Sequence, residues 1–261
     1  MNLPADDFTK SPWSYPGTPA AHGGLMTDDG FQPLTPGDGG AGDALLEGRS
    51  LEDVLRAAGV AGVDERHLVV AVGSNASPAV MRRKLTSAEV STVLPFVEVT
   101  AHGLAVGHSA HVSPPGYFPT APYLSRATAT RTVASLLDAE QLACVDRTEP
   151  NYSRRALGPL ACRLEAGGVV HPSTFQLFVS RWGVLCPPGK APWPVQPQEQ
   201  LFSRLARECA GFAEIVERFP GTRASMAALA ADARLRTRVR KALQVEGWAS
   251  PCELETGQSA G

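Results

Sequence analysis

The stretch that decides the fold is residues 68–78, which read LVVAVGSNASP. Its first part, 68–72, is a continuous aliphatic run rich in β-branched side chains, which predicts a short strand buried on both faces. Residues 73–75 (GSN) tolerate tight turns and close approach of the backbone to another group. Ser77 and Pro78 then suit the start of a helix, because serine caps a first turn and proline has no N–H to satisfy there.

A strand, a glycine loop and a helix N-terminus in this order leave several backbone N–H groups directed at one place. Such a place binds carboxylate or phosphate groups, so the stretch predicts an anion-binding loop. The alternative is an ordinary turn between a strand and a helix. The loop lacks the G-x-x-x-x-G-K-[ST] pattern and the glycine spacing of dinucleotide-binding folds, which makes ATP and NAD poor candidates as ligands.

The composition of the 261 residues argues against several functional classes. Hydrophobic residues make up 43% of the chain, enough for a sizeable core, and the formal net charge of −2 provides no basic surface for nucleic acid. Residues 1–12 contain no apolar segment typical of a signal peptide, and no apolar run approaches membrane-spanning length. We therefore expect a cytoplasmic protein that binds neither nucleic acid nor membranes. The sequence leaves the oligomeric state open.

The cysteines and histidines predict neither a metal site nor a serine hydrolase. The five cysteines are odd in number, widely spaced and without a C-x-x-C pair, so we expect small buried hydrophobic residues. His108 and His111 are three positions apart on a predicted strand, which places them on opposite faces. No G-x-S-x-G pattern is present to expose a serine nucleophile.

Changes in composition along the chain predict its domain organisation. The N-terminal part is rich in glycine, proline and aspartate, so we expect it to be disordered or draped over the domain, with Trp13, Tyr15 and Phe31 as candidates to dock. We predict four segments: a disordered N-terminal tail (1–44), the main domain (45–190), a C-terminal helical extension (191–248) and a loose tail (249–261).

Apolar residues recur at helical spacing in three ranges, 43–59, 198–217 and 222–247, and predict helices there. A shorter helix is predicted after Asp138, because Asp138 and Gln141 have the spacing of a capping box. Pro150 must end this helix.

Glu149 lies at the end of that short helix, in the segment 146–154, which reads DRTEPNYSR. A carboxylate there lies near the negative pole of the helix dipole, directly before a proline that takes the backbone out of the helical region. If it also faces a poorly hydrated pocket, it suits a general base that removes a proton from an amine. The alternative is a solvated charge at a helix end.

Together, residues 72–76 (VGSNA) and 146–154 (DRTEPNYSR) resemble the two hallmark segments of the γ-glutamylcyclotransferase-like family. That family carries a Y-G-S-N loop after its first strand and a catalytic glutamate in a D-x-x-E…Y-x-R context after a short helix. The resemblance covers residues 67–185. It implies an α+β fold, namely a small mixed β-barrel with flanking helices and a C-terminal helical extension, in which the loop and the glutamate meet at the mouth.

The resemblance also implies an activity. A γ-glutamyl amine or dipeptide is closed to 5-oxoproline with release of the amine, without a metal or a cofactor. Glu149 would be the catalytic residue that moves the protons. Substrate-binding roles fall on Val72, Gly73, Ser74, Asn75 and Ala76 in the loop, whose backbone would hold the α-carboxylate, and on Tyr152 and Arg154, which would orient Glu149 or the substrate.

One residue departs from the family pattern. Val72 stands where the family has the loop tyrosine, so a hydroxyl that would line the pocket is missing. The departure leaves the substrate and the leaving group open. The alternative function is that of a non-catalytic domain of the same type, which binds a small ligand or a protein partner.

Overall fold

The computed structural model describes residues 7–8, 10–37, 41–158, 162–166, 174–252 and 254. The described strands, β1 to β12, are Gly24–Thr27, Gly30–Pro33, Leu45–Leu46, Arg49–Ser50, His67–Val70, Leu94–His108, Thr120–Leu137, Tyr152–Leu157, Arg163–Ala166, Phe175–Ser180, Val184–Leu185 and Ala249–Ser250. The described α-helices, α1 to α7, are Leu51–Ala57, Pro78–Ser87, Ala139–Thr148, Gln198–Glu208, Ala210–Val216, Thr222–Ala231 and Ala233–Val245.

Eight strands form one mixed sheet, in the order β2-β1-β6-β7-β5-β10-β8, with β9 paired to β6. Only β5 and β10 run parallel among the described pairs of this sheet, and the other pairs are antiparallel. The path of described strands has two ends, β2 and β8, so the predicted barrel is not confirmed. The fold is a mixed α+β fold built on a large sheet. None of the described helices is long and apolar enough to cross a bilayer.

Strand β5 is the predicted buried strand, and it lies inside the sheet between β7 and β10. The helix after it begins where the sequence predicts: the side chain of Ser77 accepts a hydrogen bond from the N–H of Val80, and Pro78 occupies the first turn of α2. The capping box of α3 is also confirmed, with Asp138 and Gln141 as its two partners. Local capping chemistry therefore sets the chain direction at both places that lead into the site.

The N-terminal segment is not the disordered tail that we predicted. Strands β1 and β2 form a hairpin, and β1 pairs with β6, where Met26 lies opposite Leu94. Met26 and Phe31 are buried in the core, and they anchor a segment that contains few other apolar side chains. Tyr15 and Phe31 dock as expected, whereas Trp13 is 39% exposed. Residues 1–6, 9 and 38–40 lie outside the described residues.

The other helix predictions differ in their bounds. The range 43–59 begins with the short strands β3 and β4, and its helix starts only at Leu51. The two long C-terminal helices are each divided, at Cys209 and at Asp232, and the carboxylate of Asp232 caps α7. The boundary between the main domain and the helical extension stays a prediction.

The C-terminal helices pack on the loop 113–119 between β6 and β7. Phe118 of this loop is fully buried in one apolar cluster with residues of α4, α5, α6 and α7. The side-chain amide of Gln198 holds the Phe118 backbone on both sides: its Oε1 accepts from the N–H at 2.9 Å, and its Nε2 donates to the C=O at 2.9 Å. The helices therefore fix one wall of the pocket described next.

Candidate functional site

A cavity of about 240 Å³ lies where the glycine loop, the end of α3 and the loop 113–119 meet. The N-terminal segment closes a further side. Its lining includes Phe8, Tyr15, Val72, Gly73, Ser74, Asn75, Arg83, Lys84, His111, Tyr117, Thr120, Glu149 and Tyr152.

Glu149 projects into this pocket from the C-terminal end of α3. Its side chain is 16% exposed, so the alternative of a solvated surface charge does not hold. Its Oε1 accepts a hydrogen bond from Nδ2 of Asn75 at 3.1 Å and from Nζ of Lys84 at 2.6 Å. The structure therefore brings the loop and the glutamate together, across 74 positions of sequence.

Lys84 is a site residue that the sequence reasoning missed. Its Nζ also donates to Oδ1 of Asn75 at 2.7 Å, so Lys84, Asn75 and Glu149 form a closed triangle of hydrogen bonds. The signal that could have found it is its place on α2, which starts directly after the loop. A lone lysine on a helix is more often solvated, so its sequence position alone does not indicate a site.

The backbone N–H groups of the glycine loop differ in their hydrogen bonding. The N–H groups of Ala76 and Ser77 are used inside the turn, by the carbonyls of Gly73 and Ser74. Those of Val72 and Gly73 bond to no other group in the described part of the chain. Both residues line the pocket, so their N–H groups are candidate donors to an anionic ligand.

Gly73 is required by the space around it rather than by its backbone angles. A Cβ at this position would lie 2.3 Å from Oγ1 of Thr120 and 2.7 Å from the hydroxyl of Tyr15. Only glycine lets these two side chains approach the loop so closely.

Tyr15 supplies a hydroxyl next to the loop. The Tyr15 oxygen accepts from the N–H of Thr120 at 3.0 Å and shares a hydrogen with Oγ1 of Thr120 at 2.8 Å. Its ring stacks on that of Tyr117 with centroids 4.1 Å apart. Burial raises the pKa of Tyr15 to about 12, so its hydroxyl is neutral at physiological pH.

The predicted binding residues do not all reach the pocket. Tyr152 lines it, and the Tyr152 hydroxyl donates to the carbonyl of Thr120 at 2.7 Å. Arg154 does not line it, because its guanidinium pairs with the carboxylate of Asp146, at 2.8 Å from Nε to Oδ1, and with Gln176. Ala76 is buried in the core behind the loop. Arg154 and Ala76 therefore lie outside the lining of this pocket, and the binding roles of the other predicted residues stay predictions.

The histidines also differ from the prediction that both lie on a strand. His108 ends β6 and is buried, and its Nε2 accepts from the N–H of Gln196 at 3.0 Å. His111 lies beyond the strand and lines the pocket. Within the described residues, no three or more His, Cys, Asp or Glu side chains converge as a metal site would require. The five cysteines are buried and free, as expected.

Comparisons with models of protein families and with curated proteins find no match. Among solved structures, the chain is similar to a γ-glutamyl cyclotransferase with a TM-score of 0.38 and 11% identity, over 68% of this chain and 99% of that one. It is also similar to two Arabidopsis thaliana proteins solved in solution. One has a TM-score of 0.37 and 16% identity, over 60% of this chain and 95% of that one. The other has a TM-score of 0.36 and 15% identity, over 58% and 82%.

Proposed function

We propose that the pocket binds a small γ-glutamyl amine or dipeptide and closes it to 5-oxoproline, with Glu149 moving the protons. The observation that carries the proposal is the position of Glu149: a mostly buried carboxylate that faces the glycine loop across an open cavity. A carboxylate so placed is within reach of an amine whose carboxylate is held by the loop.

The charges of the pocket fit the α-amino acid end of such a substrate. The free amides of Val72 and Gly73, together with the cationic side chains of Arg83 and Lys84, favour the α-carboxylate. Glu149 favours the α-ammonium group. The α-carboxylate and the α-ammonium group of the substrate therefore each meet a group of opposite charge.

All bonds that form and break belong to the substrate, and the proton transfers need one base. Glu149 takes a proton from the α-ammonium, and the freed nitrogen attacks the γ-carbonyl carbon. The new bond between this nitrogen and the γ-carbon closes the five-membered ring, and the bond from the γ-carbon to the leaving nitrogen breaks. Two protons pass from the α-nitrogen to the leaving amine, each through the carboxylate. Because both reacting groups belong to one molecule, positioning supplies much of the rate.

Lys84 occupies the place that the proposal gives to the substrate ammonium. Its Nζ lies on Oε1 of Glu149, and it must leave this oxygen for Glu149 to act as a base. The Nζ of Lys84 also donates to Oδ1 of Asn75 at 2.7 Å, and it can keep this partner when it leaves Glu149.

The same ion pair favours the second candidate function, a pocket that binds a zwitterionic ligand without reaction. In that case Lys84 stays on Glu149 and neutralises the base. The two functions differ in product: only the enzyme forms 5-oxoproline.

The test uses the full chain and a panel of γ-glutamyl amides and dipeptides, with the matching α-glutamyl dipeptides as controls. Chromatographic detection of 5-oxoproline from γ-glutamyl compounds alone supports the enzyme. Thermal stabilisation by the same compounds without product supports the binding domain, and neither effect rejects both.

A further inference from the structure

A chain of hydrogen bonds runs beneath the pocket and ends at His111. The backbone N–H of Trp182 donates to Oγ of Ser180 at 3.1 Å. That oxygen lies 2.6 Å from Oγ of Ser109, which in turn lies 2.6 Å from Nδ1 of His111. Ser109, His111 and Ser180 are all buried.

The direction of the hydrogens in this chain follows from counting acceptors. If Ser180 donates to Ser109, and Ser109 donates to Nδ1 of His111, every hydroxyl hydrogen has an acceptor. If the chain ran the other way, the hydroxyl hydrogen of Ser180 would have no acceptor among the described residues. A buried donor without a partner is costly, so the first arrangement is favoured. Nδ1 of His111 is then an acceptor, and its hydrogen is on Nε2.

The surroundings keep this imidazole neutral. Burial lowers the pKa of His111 to about 3, and the positive charge of Arg240 acts in the same direction. The Arg240 guanidinium is itself held over the ring of Trp182, 3.9 Å from its centroid. The ring thus carries a single hydrogen at neutral pH, and the hydrogen-bond chain places that hydrogen on Nε2.

Nε2 is the part of His111 that remains for a ligand. It has no hydrogen-bond partner among the described residues. It is also not fully buried, since the fully buried polar atoms without a partner do not include it. His111 lines the pocket, whereas Ser109, on the Nδ1 side of the ring, does not. The ring therefore turns Nδ1 into the protein and leaves Nε2 toward the cavity.

We propose that His111 is a catalytic residue that donates a hydrogen bond from Nε2 to the γ-carbonyl oxygen of the substrate, with Ser109 and Ser180 as positioning residues that fix its tautomer. This inference rests on the proposed function. A neutral donor suits a carbonyl oxygen, because it stabilises the negative charge that develops during attack without exchanging a proton with Glu149. In the proposed reaction the oxygen becomes negative when the α-nitrogen attacks, and it returns to a carbonyl when the leaving amine departs.

The tautomer can be measured without any activity, by long-range proton–nitrogen correlation spectra of the full chain with labelled histidine. The six histidines are assigned with single His→Gln variants. We expect Nε2 of His111 to carry the hydrogen from pH 5 to 8, and Ser109→Ala to weaken this preference. A hydrogen on Nδ1, or a doubly protonated ring in this range, would overturn the proposal. Titration with 5-oxoproline as the probe should shift the His111 signals, and saturation of the pocket without such a shift also overturns it.

Kinetics then separate this proposal from the function on which it rests. Removal of one such donor lowers kcat by about 10²–10³-fold, so we expect this loss in His111→Phe with a much smaller change in KM. His111→Gln keeps a donor near the position of Nε2 and should recover part of the activity. His67→Gln, at an exposed histidine of β5, is the matched control. A wild type without turnover rejects the proposed function, whereas a wild type with turnover and an equally active His111→Phe rejects only the role of His111.

Discussion

Nζ of Lys84 lies 2.6 Å from Oε1 of Glu149, and the two side chains are only 15% and 16% exposed. A cation on α2 and an anion after α3 thus meet inside the pocket, where water screens them less than at the surface. Asn75 completes the contact, with its amide nitrogen on Glu149 and its amide oxygen on Lys84. The three side chains form the polar centre of the site.

A double-mutant cycle on this pair tests the contact itself. Lys84→Met and Glu149→Gln should each lower the free energy of unfolding, because each leaves a partly buried partner unpaired. Their effects should not add, with a coupling energy of roughly 0.5–3 kcal/mol by urea unfolding. Arg56 and Asp53, an exposed pair on α1 at 2.9 Å, provide the control cycle, for which we expect a smaller coupling energy. Additive effects at Lys84 and Glu149 would show that the two charges do not interact.

Gly73→Ala should disturb the packing around the glycine loop without changing any charge in the site. The new methyl group would lie 2.3 Å from Oγ1 of Thr120 and 2.7 Å from the Tyr15 hydroxyl, so Tyr15 must move. We expect a loss of about 1–3 kcal/mol in unfolding free energy and weaker ligand binding. Gly42→Ala is the control, since its nearest contact would be an ordinary 3.7 Å. Equal behaviour of the two variants in thermal unfolding and in ligand titration would argue against the close packing at Gly73.

Tyr15→Phe removes the acceptor of the buried N–H of Thr120. We expect a loss of about 1–3 kcal/mol at neutral pH, measured by urea unfolding. The partly exposed Tyr123 gives the control Tyr123→Phe, which should change stability by less than about 0.5 kcal/mol.

The same tyrosine predicts a dependence on alkaline pH. Burial raises the pKa of Tyr15 from 10.0 to about 12, so the folded state keeps a proton that the unfolded state releases first. The stabilisation is complete below pH 10 and is lost as the pH rises to 12. Burial raises the pKa values of Tyr117 and Tyr152 as well, so the wild type loses stability in this range and Tyr15→Phe loses less of it. Parallel curves for the two proteins would contradict the assignment to Tyr15.

Gln198 links the C-terminal helices to the pocket through Phe118, the neighbour of Tyr117. Gln198→Leu leaves the buried N–H of Phe118 without its partner and removes one of the bonds to the Phe118 C=O, which also lies 3.4 Å from Nδ1 of His108. This should lower stability by about 1–3 kcal/mol and weaken ligand binding. Gln200→Leu, at an exposed position of the same helix, should leave both nearly unchanged. Unaltered binding by a folded Gln198→Leu protein would show that the helices do not support the site.

What could be predicted from the sequence was local. The caps at Ser77 and Asp138 depend on residues three positions away, and the structure has both where the pattern predicts them. The sequence predicts docking of Tyr15, but its place beside the loop could not be found in this way, because its partner Thr120 lies 105 positions along the chain.

The position of Arg154 outside the pocket has a geometric reason. Tyr152 opens β8 at the edge of the pocket, and each further residue of a strand advances by about 3.3 Å. Two residues on, Arg154 lies opposite Phe178 on β10 and reaches back to Asp146 instead of forward into the cavity. The spacing of a motif predicts which residues lie near each other in the chain, but not the direction in which each side chain points.

The most direct test of the account is the rate of 5-oxoproline release by the wild type and by Glu149→Gln, with Glu140→Gln as the control. Glu140 is an exposed carboxylate on the same helix, so the control makes the same change of charge outside the pocket. The account predicts turnover by the wild type and by Glu140→Gln, and none by a folded Glu149→Gln protein. Turnover that survives in Glu149→Gln would contradict it.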